Sequence, residues 1–279
     1  MLLQQHFDKI AWLLRHPAFR ARPLATVANM ATWQYGKLSR RSVKIKLNDL
    51  SIEARHSDGV ARLVTYFQED ADEMFAFMQM FLRPGDRFID VGANIGTHSL
   101  LGSRLVGPSG SVESIEADPL TCQVLRRNID ANAMSNITVH NVCMSNTSGV
   151  AKFNINRNSA KNSLFVAGER EILLDARRLD ETCVGGGIVL LKIDVEGADY
   201  LVLEGATELF RTSPPMAVII ERSRDTDRID AFLLANGYRL MDFDRASRRL
   251  VPMHDKTENI YAIHPSGMSR ISAMEPVVH

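Results

Sequence analysis

Cysteine is scarce in this chain, tryptophan scarcer, and long apolar runs are missing. The three cysteines, Cys122, Cys143 and Cys183, are odd in number, far apart and without a CxxC pair. That excludes a structural disulfide framework and points to a reducing compartment. No stretch reaches the roughly 20 apolar residues that a membrane-spanning helix needs. Met1 to Arg15 lacks the basic start, apolar middle and small-residue cleavage site of a signal peptide. The expected location is the cytoplasm. Eight histidines show no ligand spacing with cysteines or with each other, so no metal site is expected.

Net charge is also absent, with 33 basic residues against 33 acidic, but the balance is uneven along the chain. Residues 1–48 hold nine Lys or Arg and one acidic residue, Asp8. Both tryptophans, Trp12 and Trp33, lie there, and Leu3, Phe7, Ile10 and Leu14 recur at helical spacing. A basic amphipathic helix with aromatic residues suits peripheral contact with the inner face of a membrane, and equally it packs its apolar face on a main domain. No nucleic-acid partner is expected, and nothing in the chain sets an oligomeric state.

What the chain does have, at 279 residues with 45% hydrophobic and 24% charged, is enough material for a full core. A second helical stretch runs through Leu24–Tyr35. Ser42–Leu47 and Leu50–Ala54, joined by Asn48-Asp49, read as a hairpin. Residues 70–82 carry Met74, Phe75, Phe77, Met78, Phe81 and Leu82 and read as a buried helix stopped by Pro84-Gly85. From Asp86 strands and helices alternate, which favours a parallel sheet with helices on both faces. Strands are expected at Arg87–Val91, Ser111–Glu116, Asn136–Asn141, Ile188–Asp194 and Met216–Glu221. Between them lie helices at Thr97–Val106, from Pro119 with Leu120, Val124, Leu125 and Ile129 inward, at Ala198–Phe210 with a break at Gly205, and at Thr226–Asn236. Residues 150–178 read as a strand-rich insertion, and Tyr238–Phe243 with Asn259–Ile263 as a closing antiparallel pair. The expected organisation is an N-terminal extension over 1–69, a main domain over 70–265 and a loose tail over 266–279.

The stretch Phe88-Ile89-Asp90-Val91-Gly92-Ala93-Asn94-Ile95-Gly96 reads as strand, tight turn and helix start. Glycines let a ligand approach the backbone there, and the helix beyond offers unpaired N–H groups to a negative group. Open parallel sheets bind ligands at the carboxyl ends of their strands. Acidic and polar residues fall at five such ends: Asp90 with Asn94, Glu116, Asn141 to Ser145, Asp194 with Glu196, and Glu221. Glu116 follows Asp90 by 26 residues, close to where a carboxylate receives ribose hydroxyls in dinucleotide folds. Asn94 stands where those folds place their central glycine, so the turn is not shaped for a pyrophosphate. A ribose site without a pyrophosphate site indicates S-adenosylmethionine, its carboxylate at the backbone of residues 94–97. Lys192 is expected to point away from the ligand edge or to pair with an acidic neighbour.

Taken together, Phe88–Ser99, Ser114-Ile115-Glu116-Ala117-Asp118-Pro119, Asn128–Asn132 and Leu191-Lys192-Ile193-Asp194-Val195-Glu196-Gly197-Ala198-Asp199 resemble the FkbM family of S-adenosylmethionine-dependent methyltransferases. Two departures stand out: Ala117-Asp118 intervene before Pro119, and Cys143 replaces the usual alanine. The resemblance implies an α/β class I methyltransferase fold, Rossmann-like, with a seven-stranded, mostly parallel sheet and a reversed final strand. It implies O-methylation of a hydroxyl on a saccharide or lipid-linked glycan, with a small secondary metabolite, or a non-catalytic cofactor-binding module, as alternatives. Asp90, Gly92, Asn94, Gly96 and Thr97 would shape the methionine end, Glu116 would hold the ribose, and Asn141 and Cys143 would border the adenine. Asp194 and Glu196 would face the methyl group or acceptor. Asp194 is the expected base or hydroxyl-orienting group, and His98 a second base candidate.

Overall fold

A computed structural model describes residues 17–39, 42–54, 59–68, 72–155, 170–254 and 257–272. The chain divides into two compact units, Met1–Asp72 and Glu73–His279. The amphipathic pattern through Leu3 and Leu14, with Trp12, lies outside the described residues.

In the first unit, helices α1 (Pro17–Ala21) and α2 (Pro23–Ser39) precede the hairpin β1 (Val43–Leu47) and β2 (Leu50–Ala54), and α3 (Gly59–Phe67) packs against α2 and β1. The hairpin turns at Asn48, whose φ of 57° suits the short polar side chain. Its alternation is literal: Val43, Ile45 and Leu47 are buried while Lys44 and Lys46 are exposed.

The second unit is built on one sheet. Its elements are α4 (Glu73–Phe81), β3 (Arg87–Val91), α5 (Thr97–Val106), β4 (Ser111–Ile115), α6 (Pro119–Ala131), β5 (Ile137–His140), β6 (Cys143–Met144), β7 (Gly149–Ile155), β8 (Arg170–Arg177), α7 (Leu179–Thr182), β9 (Ile188–Ile193), α8 (Asp199–Glu204), α9 (Thr207–Thr212), β10 (Ala217–Glu221), α10 (Thr226–Ala235), β11 (Arg239–Asp244), β12 (Arg249–Pro252), β13 (Asn259–Ile263) and α11 (Met268–Ser272). The strands run β12-β11-β13-β10-β9-β3-β4-β5. From β5 to β10 every pairing is parallel, and β13 inserts antiparallel between β10 and β11. This is the class I methyltransferase arrangement with its reversed last strand. The chain leaves β3 toward β4 and β5, then returns to β9 and β10 on β3's other side. The strand order therefore reverses between β3 and β9, the place where open parallel sheets bind their ligands.

There are eight strands in this sheet, not the expected seven. β12 is an added antiparallel edge strand, tied to β11 by a turn in which the Asp244 carboxylate accepts N–H groups from Ala246 and Ser247 at 3.2 Å. It ends in Pro252, which only an edge strand tolerates. The helix expected over Ala198–Phe210 breaks at Gly205 as expected, giving α8 and α9, and only glycine fits at the break because a Cβ there would lie 2.1 Å from the Ser145 carbonyl oxygen. Leu120, expected to face inward, is 45% exposed, because the buried face of α6 runs through Thr121, Cys122, Leu125, Asn128 and Ile129 and leaves Leu120 at its edge. The strand-rich insertion is a small sheet of order β6-β8-β7, with residues 156–169 outside the described residues. The expected loose tail is anchored through residue 272: the Arg270 guanidinium forks onto both Asp86 carboxylate oxygens at 2.6 and 2.8 Å and donates to the Phe81 carbonyl at 3.0 Å.

Candidate active site

The turn between β3 and α5 is dictated by close contacts. Gly92 has φ 80° and Gly96 φ 94°, both in the left-handed region. A Cβ at Gly92 would lie 1.8 Å from the Asp194 carbonyl oxygen, and one at Gly96 would lie 2.5 Å from the Leu125 side chain. The first glycine lets the turn touch the loop after β9, and the second lets α6 close on α5. Asn94, between them, also has positive φ, 51°, which its short amide side chain tolerates. The Asn128 side chain donates to the Ile95 carbonyl at 2.9 Å and fixes the turn from below.

Glu116, just past β4, is buried. Its two carboxylate oxygens accept the N–H groups of Asn94 and Asp118, each at 2.8 Å. Burial pushes its carboxyl up to about 7 despite those two donors, and the Asp118 and Asp90 charges push the same way. Asp90, at the end of β3, is fully buried and accepts from the Ser99 hydroxyl at 2.6 Å, which in turn accepts from the Ser114 hydroxyl at 2.8 Å. Asp90 stands opposite Lys192 in the β3–β9 register. The Lys192 ammonium, itself buried, lies 3.3 Å from Asp90 and 3.3 Å from Asp194.

Beyond Asp194 the chain turns through Glu196 (φ 53°) and Gly197 (φ 92°), and the Asp199 carboxylate accepts the Val195 and Gly197 N–H groups, each at 3.1 Å. Burial raises the Asp199 carboxyl to about 6. Ile193 pairs with Ile220, so Asp194 and Glu221 follow side by side at the sheet edge. Burial first, then the Asp194 and Asp199 charges, push Glu221 up to about 7. The edge thus presents Asp194 and Glu221 side by side, with Lys192 paired to the first and Glu196 on the turn that follows it. Among the described residues, no group of His, Cys, Asp and Glu is arranged to hold a metal ion.

The Methyltransferase FkbM domain matches residues 90–240, a span that begins at Asp90 and contains every carboxylate of this edge. The chain belongs to the FkbM methyltransferase family. Its cofactor is S-adenosylmethionine. A probable cobalt-precorrin-6B C(15)-methyltransferase from Sulfolobus acidocaldarius is 24% identical over 54% of this chain and 76% of its own length. A protein-L-isoaspartate O-methyltransferase from Ignicoccus hospitalis is 32% identical, over 32% of this chain and 38% of the relative. Among solved structures, an FkbM methyltransferase from Methylobacillus flagellatus KT aligns with a TM-score of 0.44 and 17% identity, covering 88% of this chain and 61% of that one.

The FkbM turn fits its cofactor. The Asn94 side-chain oxygen is buried without a hydrogen-bond partner, facing a turn whose glycines leave the backbone bare. An orphaned acceptor of this kind matches a ligand carrying an ammonium, and a carboxylate flanked by backbone donors, as Glu116 is, matches ribose hydroxyls. Thr97 opens α5 and is buried. The Asn141 amide donates to the carbonyls of Glu116 at 2.8 Å and Ala117 at 3.0 Å, so it shapes the loop that carries Glu116. Cys143, expected at the adenine, turns its thiol into the apolar cluster of the small sheet with Phe153 and Ala176, and burial pushes it up to about 12. There it lends bulk, and its thiol donates to the Met144 carbonyl at 3.8 Å. His98, the second base candidate, is buried with its ring tilted against Phe75 at 4.9 Å between centroids, a packed helix histidine.

Lys192, Ser99, Ser114 and Asp199 were not among the expected site residues, yet they hold the ones that were. Lys192 had a signal in the sequence: a lone lysine within Ile188–Ile193, all buried, must meet an acid on a neighbouring strand, and Asp90 is the acid within β3.

Proposed function

We propose that this FkbM methyltransferase methylates a hydroxyl oxygen of a saccharide or lipid-linked glycan. The observation that carries the reading is the row of carboxylates, Asp194 beside Glu221, at the strand-order reversal next to the cofactor turn. When bound, S-adenosylmethionine supplies an activated methyl group. The chain's residues then have a limited task, which is to align an acceptor oxygen and relieve it of a proton. Asp194 accepts the hydrogen bond of the acceptor hydroxyl and takes its proton as the oxygen is methylated. Glu116 receives the ribose hydroxyls, and the backbone of residues 94–97 takes the carboxylate end. Glu196 and Glu221 add acceptors for the neighbouring hydroxyls of a sugar.

The same row argues against a carboxylate acceptor of the isoaspartate kind, because three acidic side chains repel a fourth brought among them. A hydroxyl of a small secondary metabolite fits the edge chemically as well as a sugar does. A lipid-linked acceptor is favoured by α2, on which Leu24, Val27, Ala31, Tyr35 and Leu38 form one exposed apolar face at helical spacing, preceded by the exposed Arg20 and Arg22. Such a face with basic neighbours suits an anionic membrane surface. No helix among the described residues is long and apolar enough to cross a membrane.

The reading is tested by untargeted glycan and metabolite profiling of a strain lacking the gene. The expected result is a saccharide whose mass falls by one methylene. An unchanged glycan and metabolite profile under conditions where the protein is made would favour the non-catalytic module.

A further inference from the structure

Buried lysines are rare because an ammonium taken from water must recover its hydration from protein groups. Lys192 is 2% exposed, and three oxygens surround its ammonium: the carboxylates of Asp90 and Asp194, each at 3.3 Å, pair with its charge, and the Gly92 carbonyl accepts a hydrogen bond from it at 3.4 Å. Two of these acceptors, Asp90 and Gly92, belong to the strand end and turn that seat the cofactor. The third belongs to the edge that faces the acceptor. One side chain therefore joins both halves of the reaction.

From this geometry we propose that Lys192 is a positioning residue for methyl transfer, holding the Asp194 carboxylate by an ion pair aimed at the acceptor while tying it to the cofactor turn. The proposal rests on the reading of Asp194 as the acceptor-facing group. Asp194 is one-third exposed, on a loop that turns through Glu196 and Gly197, both with positive φ. Lys192 supplies the fixed point. It also sets the charge. The groups that face this pair are Asp90 on β3, Glu221 on β10, Asp199 on α8 and, through Asp90, Glu116 past β4, and every one is acidic. Burial by itself would lower the lysine, yet Asp194 and Asp90 raise it above the ordinary lysine range, so it stays charged wherever the enzyme works. Without that ammonium, Asp194 would lose its ion-pair partner and face only acidic neighbours.

The test is carboxyl carbon NMR on the full chain labelled at aspartate, with the Asp194 resonance identified by its loss in Asp194→Asn. In Lys192→Met the Asp194 titration midpoint is expected to rise by about one to three pH units, the effect of removing an adjacent opposite charge. Lys192→Arg, which keeps the charge, is expected to titrate close to wild type. If Lys192→Met does not fold, Lys192→Met with Asp90→Asn removes one buried carboxylate together with the ammonium, and the same upward shift is expected. A melting temperature that falls while Asp194 titrates as in wild type would make Lys192 a strut only and overturn the proposal. Calorimetry of wild type with S-adenosylmethionine runs beside it: failure to bind would strike the cofactor reading, whereas binding with an unmoved Asp194 midpoint in the variants would strike Lys192 alone.

Discussion

At the scale of single residues, Glu116 shows how a site is prepared for a ligand at some cost to the empty fold. Its carboxyl is raised from 4.5 to about 7, so the neutral form is favoured in the folded chain. A raised carboxyl contributes stability below its unfolded value and loses it as pH climbs through the folded one. The unliganded protein should therefore melt lower as pH rises from about 4.5 to about 7, and Glu116→Gln should flatten part of that slope in a thermal scan. Ribose hydroxyls donate best to an ionised carboxylate, so cofactor binding should expel a proton. Calorimetry is then expected to find tighter binding at about pH 8 than at about pH 6. Glu116→Gln should weaken binding about 10- to 100-fold, the worth of charge-assisted hydrogen bonds, and remove the pH dependence. Retained affinity in that variant would take the ribose away from Glu116. Glu116 and Asp194 were legible in the sequence because each follows an apolar strand directly. Lys192 was harder to read, since its partner stands on a strand about a hundred residues away in the chain, and strand adjacency is a property of the sheet order.

At the scale of elements, what could be read was what local pattern controls. The β3 turn, the Asp118-Pro119 start of α6 and the β1–β2 hairpin each carry their instructions within a few residues, and the structure has all three. The elements that escaped are those decided by distant neighbours. The edge strand β12 is only four residues long and ends in proline, and it pairs antiparallel with β11 alone. Cys143 faces the small sheet because β8 runs beside it, pairing Cys143 with Ala176. Helix α2 carries its own expectation. Its exposed face of Leu24, Tyr35 and Leu38 is over half accessible at each residue. In sedimentation with anionic vesicles, the full chain should pellet and a Leu24→Glu, Tyr35→Glu, Leu38→Glu variant should stay in solution. Equal pelleting of the two would leave this face without a membrane role.

At the scale of the whole molecule, the reversal of strand order between β3 and β9 brings together residues that the chain keeps far apart. Asp90, Glu116, Asp194 and Glu221 end four different strands, and only a parallel sheet puts all four carboxyl ends on one edge. On the proposed reading, one half of that edge receives the methyl donor, and the other half, beyond Asp194, is acidic and suited to hydroxyls. The fold by itself would serve carbon, nitrogen or carboxylate acceptors equally well, so the acceptor class has to be read from those side chains. The most direct measurement follows a labelled methyl group from S-adenosylmethionine into a cell extract and asks what bond holds it. The expected product is a methyl ether in the carbohydrate or glycolipid fraction, stable to mild alkali and absent with Asp194→Asn. Label released as methanol by mild alkali would mean a carboxylate acceptor, label on carbon a different chemistry, and undiminished transfer by Asp194→Asn a different base; each would contradict the assignment of this edge to hydroxyl methylation.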